Sequence, residues 1–161
     1  TYITERGDRS DTTEGAYAVL KDKRTGLKGV VVVVHMPHGM QTELRLGTYS
    51  SDVARAYRGI LKGARHLANS LQRTYEADWM IVVGDWNLNL KNAWVQTYLK
   101  VQFPRFRVNF KAPYPRAGTF HKDLIDLALL WGVYTPRNPV IHSHDTGFDH
   151  AGWSQHLLPQ V

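Results

Sequence analysis

The sequence predicts an α/β domain built on a mixed β-sheet with helices packed against it. Three observations predict this. Five consecutive valines at 30–34 have the β-branched density of a sheet strand. From Val53 to Tyr75 the apolar residues step by three and four, the period of an amphipathic helix. A second aliphatic run, Ile81, Val82 and Val83, then stops at Gly84-Asp85-Trp86-Asn87. Strand, long helix, strand is the βαβ pattern, in which the two strands lie parallel and their carboxyl ends share one rim.

Residues 1–14 are polar and charged and read as a lead-in ahead of a single unit over 15–161. The apolar stretch at 16–20, the turn material at 21–26 and the valine run form a β-hairpin. Its second strand reads as buried on both faces and ends at His35, before Pro37 and Gly39. Residues 41–47 read as a connector. Ser51 is placed to cap the long helix, and Asp52 suits its first turn. Arg55, Arg58, Lys62, Arg65 and Arg73 fall on the other side of the apolar stripe, as a solvated face would. A second helix is expected over 93–100. Residues 103–116 interleave bases and rings and read as a loop with a short strand near 106–110. Asp123-Leu124-Ile125-Asp126 runs into an apolar strand, and 151–158 reads as the last strand.

With 161 residues and 43% apolar composition, the chain makes one domain with a real core. The absence of cysteine excludes a disulfide framework and thiolate metal sites. Any metal must be held by carboxylate, amide, imidazole or water, which favours Mg²⁺ or Mn²⁺, with Ca²⁺ as an alternative. No apolar run reaches the roughly 20 residues of a membrane helix, and no signal peptide is visible. The expectation is therefore a cytoplasmic or other intracellular protein. A net charge of +6 suits a polyanionic partner such as nucleic acid.

The chemistry-bearing residues sit at strand ends. His35 closes the valine strand, and Asp85 closes the second one. Asp85 and Asn87 are two apart, so persisting extended geometry would point both to one face. The alternative is a simple Asx turn. Near the end of the chain, His142-Ser143-His144-Asp145 and Asp149-His150 are rich in metal-type donors.

In order, His35 after an apolar strand, Gly84-Asp85-Trp86-Asn87, Ile125-Asp126-Leu127 and Asp149-His150 resemble the endonuclease/exonuclease/phosphatase superfamily, with its deoxyribonuclease-I-like fold. The resemblance spans residues 15–158. It implies a sandwich of mixed β-sheets flanked by helices and a divalent-metal-dependent hydrolase of phosphate esters. His150 is implied as general base or phosphate ligand, with Asp126 fixing its ring. Asp149 is implied as a metal ligand. Asp85 and Asn87 are implied to orient the nucleophile and contact phosphate or metal, and His35 to bind phosphate or assist the leaving group. Phe148 stands where the family has Ser, and Trp86 where Phe is commoner. The family's main metal ligand, a Glu after an N-terminal strand, has no counterpart here, because neither Glu5 nor Glu14 follows an apolar strand. The resemblance thus covers the later part of the domain, with roughly the first third missing. The missing part is expected either elsewhere in a longer polypeptide or on a partner chain or oligomer that completes the fold; the alternative is a degenerate member that has lost its metal ligand.

Net charge and the basic, aromatic stretch containing Arg105, Arg107, Lys111 and Arg116 favour nucleic acid as the phosphodiester substrate. Two other readings compete. One is a catalytically inactive module of the same fold used for binding or assembly. The other is a zinc metallohydrolase built on His142, His144 and Asp149-His150.

Overall fold

A computed structural model describes residues 15–107, 125–132, 142–144 and 158–160. Its main sheet has four strands in the order β1 (Gly15–Lys21), β2 (Lys28–His35), β3 (Trp79–Asp85) and β4 (Asp126–Gly132). The β1/β2 hairpin is antiparallel, β2 and β3 are parallel, and β4 returns antiparallel to β3. The sheet is therefore mixed, as the hairpin and the βαβ pattern require. Two short strands, β5 (His142–His144) and β6 (Leu158–Gln160), form an antiparallel pair of their own.

The crossover is α2 (Asp52–Tyr75), preceded by the short α1 (Met40–Leu46). The Ser51 hydroxyl accepts from the Ala54 N–H at 3.1 Å, the capping bond expected of a serine ahead of a helix. Tyr57, Ile60, Leu61, Ala64 and Ala68 form its buried stripe. They pack on Val30, Val32, Val34, Met80, Val82, Leu127 and Leu129, which alternate along β2, β3 and β4. Each such Leu or Ile is worth about 2–5 kcal/mol against alanine. The third helix, α3 (Ala93–Gln102), buries Val95 and Leu99.

Several expectations change. Residues 41–47 are no connector: Gly39 and Gly47, both at positive φ, bracket α1, and Met40 anchors it in the core. The valine strand is buried on one face only. Val30, Val32 and Val34 face the helix, while Val33 on the opposite face is 43% exposed, because α2 covers a single side. The second helix runs two residues further, to Gln102. Of the strand expected at 106–110, the described part is one antiparallel bridge between Arg107 and Leu130. The last strand is described at Leu158–Gln160, later than expected, and 151–157 lie outside the described residues. No helix among the described residues is long and apolar enough to cross a membrane.

Candidate active site

The carboxyl ends of β2 and β3 and the start of β4 meet at one rim. There the register pairs His35 with Asp85, and Asp85 with Asp126. Direct cross-strand partners share a face with Cβ atoms about 4.5–5.5 Å apart, so three polar side chains from three strands form one row. His35 Nε2 lies 3.8 Å from Asp85 Oδ2, an ion-pair distance when the ring is protonated. The His35 side chain is 50% exposed and that of Asp85 13%. Asp126 is buried, the one charged residue in that class among the described residues.

Local sequence explains why the row forms there. At Gly84, φ is +152°, and an added Cβ would sit 1.8 Å from the Val34 carbonyl oxygen. Only glycine lets β3 approach β2 this closely just before Asp85. The chain then turns. Asn87 adopts φ 48°, and its N–H donates to Asp85 Oδ1 at 2.8 Å. Extended geometry does not persist, and the Asx turn is present. It nonetheless keeps the two side chains together, because the Asn87 Nδ2 group donates to the Met36 carbonyl at 2.5 Å, at the end of the neighbouring strand. A carbonyl acceptor there fixes which end of the amide faces it.

Trp86 anchors this tip. It is fully buried. Its backbone N–H donates to the Ile125 carbonyl at 2.8 Å and its indole N–H to the Leu127 carbonyl at 3.0 Å. Its own carbonyl accepts from the Tyr57 hydroxyl at 2.7 Å. Its ring meets Phe103 edge-on, with centroids 5.8 Å apart. Beyond it the loop alternates, Leu88 and Leu90 buried, Asn87 and Asn89 half-buried. The Asn89 N–H donates to Gln41 Oε1 at 2.8 Å, tying this loop to α1. Burial pushes the Tyr57 phenol well above its ordinary range, with Tyr98 and the Asp85 carboxylate adding to the effect.

The Tyr57 hydroxyl, the Gln41 amide and the Trp86 indole bond to the backbone around this tip; the sequence reading left them in the helix stripe, the connector and the aromatic slot. The signal for two of them was available: a buried Tyr hydroxyl and a buried indole N–H each need an acceptor. Arg105 and Arg107 are placed away from the row. Arg107 exchanges backbone hydrogen bonds with Leu130, four residues or about 13 Å along β4 from Asp126. The Arg105 guanidinium lies 4.9 Å from the centroid of the Trp131 ring. His150, Asp149, Lys111 and Arg116 lie outside the described residues.

No family model matches this sequence, and no curated protein sequence matches it. A solved structure does: the human Nocturnin catalytic domain with bound sulfate anion, a member of the endonuclease/exonuclease/phosphatase superfamily, superposes with a TM-score of 0.52. The fold is deoxyribonuclease-I-like. The match covers 80% of this chain at 12% identity, so it speaks to the fold alone. It covers 44% of the Nocturnin chain, so this chain spans less than half of that domain's length. Within the deoxyribonuclease-I-like frame, the row of His35, Asp85 and Asp126 lies on one rim of the central sheet, with Asn87 beside it.

Proposed function

We propose that this chain is the later part of a divalent-metal-dependent phosphate-ester hydrolase that cleaves phosphodiester bonds of nucleic acid. The observation that carries the reading is the row His35–Asp85–Asp126, set across three strands at the rim of a deoxyribonuclease-I-like sheet with Asn87 locked beside it. The half-exposed His35 ring is able to bind or protonate a phosphoester oxygen. The Asp85 carboxylate and the Asn87 amide orient the attacking water. The reading assigns to Asp126 the role of fixing the His150 tautomer, and to His150 that of taking the water's proton. Nucleic acid is favoured over a small phosphate ester by the net charge of +6.

The oxygen donors of Asp85, Asn87 and Asp126 suit a hard ion. Among the described residues no group of three or more His, Asp or Glu gathers to hold a metal. Asp149 is the further ligand proposed. A bound Mg²⁺ or Mn²⁺ would supply positive charge for the nonbridging phosphate oxygens.

The test is cleavage of DNA, RNA and bis(p-nitrophenyl) phosphate with Mg²⁺, Mn²⁺, Ca²⁺ or Zn²⁺, using the longest natural polypeptide that contains this sequence. His150→Ala is expected to abolish cleavage, and Asp85→Ala and Asn87→Ala to reduce it about 10²–10³-fold. Nucleic acid bound but uncut with every ion would replace the hydrolase by a binding module. Cleavage with Zn²⁺ alone would favour the zinc enzyme.

A further inference from the structure

We propose that Tyr57 is a positioning residue for the Asp85–Asn87 tip, acting through the peptide group that joins Trp86 to Asn87. The kinetic consequence rests on the proposed hydrolase; the positioning itself does not.

The two ends of that peptide group are held from opposite sides. Its carbonyl accepts the Tyr57 hydroxyl at 2.7 Å, from a fully buried position on α2. Its N–H, which belongs to Asn87, donates to Asp85 Oδ1 at 2.8 Å. In a trans peptide the two point in opposite directions, so fixing one fixes the other. The neighbouring residue needs this support. Asn87 sits at φ 48°, a region that asparagine tolerates better than other non-glycine residues but that still costs more than extended or right-handed backbone. Rotating the peptide plane would relieve that conformation, and would also withdraw the N–H from Asp85 and move the Asn87 amide from the Met36 carbonyl. The rest of Trp86 cannot prevent the rotation. Its own N–H and indole N–H are bound to the Ile125 and Leu127 carbonyls, through the preceding peptide and the side chain, and leave the following peptide free to turn. Among the described residues, the carbonyl of that peptide accepts its hydrogen bond from Tyr57.

The hydroxyl is not needed to fill space, since phenylalanine has the same ring. Tyr57→Phe therefore removes the tether and little else. Ile60→Val, one turn along the same buried stripe, is the control for general destabilisation of α2. Two quantities are compared: native-state amide hydrogen exchange at Asn87, and kcat and KM for the phosphodiester. In Tyr57→Phe, Asn87 exchange is expected to rise at least about tenfold over Ile60→Val, through a local opening. A fall in kcat of about 10–100-fold with KM nearly unchanged should accompany it, the size seen when supporting hydrogen bonds are removed. Equal Asn87 exchange in the two variants would overturn the proposal. So would faster exchange with undiminished kcat in an active protein. If the unaltered protein shows no hydrolysis, the exchange comparison still decides whether Tyr57 positions the tip, and the functional reading alone fails.

Discussion

Strand β3 is bracketed by two aspartates, and they have opposite fates. Asp78, just before the strand, spends its carboxylate on the backbone: Oδ2 accepts the Lys28 N–H at 2.8 Å, while its own N–H donates to the Lys28 carbonyl at 2.8 Å. That end of the sheet is sealed. The Trp79 ring covers Gly29 so closely that an added Cβ would lie 1.9 Å from it. Asp85, at the other end, faces a half-exposed histidine and is in register with a second aspartate. One residue type thus staples one end of the sheet and joins a row of titratable side chains at the other. The difference lies in the neighbours: backbone groups and rings at one end, titratable side chains at the other.

The largest expected effect breaks this contrast directly. Asp85→Ala should cost about 10²–10³ in phosphodiester turnover, beyond the roughly 1.5–3 kcal/mol of stability lost with its bond to the Asn87 N–H. A large loss of stability with unchanged turnover would make Asp85 a second staple. The converse holds for Asp78→Ala. It should lower stability by about 1.5–3 kcal/mol, the range for a hydrogen bond to a charged group, and leave kcat alone.

The next effect concerns alkaline pH. Burial holds the Tyr57 phenol above its ordinary value, with Tyr98 and Asp85 contributing, so the folded chain keeps a proton that the unfolded chain loses. The sign follows from linkage. This contribution is fully present below about pH 10, the unfolded value, and is lost as pH rises through the folded value. Between those values stability should fall by up to about 1.4 kcal/mol per pH unit, a slope that Tyr57→Phe should lack in urea titrations. Equal slopes would remove the buried phenol from the account of the rim.

The smallest effect is at the far end of β4. Arg105→Ala should cost about 0.5–1 kcal/mol through the lost contact with Trp131, with nucleic-acid affinity unchanged. A several-fold weaker affinity in a salt titration would make Arg105 a nucleic-acid contact and blur the distinction between the two ends.

Much of the fold was legible in the chain because period and breakers are local. Five valines, a 24-residue amphipathic helix and a Ser51 cap leave few arrangements, and βαβ geometry then carries His35 and Asp85 to one rim. The row could be anticipated as far as strand ends could be located. Short α1 could not, since seven residues carry little periodicity and its ends depend on two glycines at positive φ. The exposure of Val33 was equally illegible, because burial of a strand's second face depends on what covers it.

By itself, then, the sequence determined the strand–helix–strand order and the placing of His35, Asp85 and Asp126 at strand ends, through hydrophobic period and the abrupt change to polar residues. Tertiary structure alone decided that β4 runs antiparallel beside β3 so that Asp126 meets Asp85, and that Gly84-Asp85-Trp86-Asn87 is a turn set beside that row. The physical reason is the range of the forces involved. A turn is specified by neighbours in sequence. The Asn87 conformation is held by Met36 and, through the adjoining peptide, by Tyr57, 51 and 29 positions away from their partners.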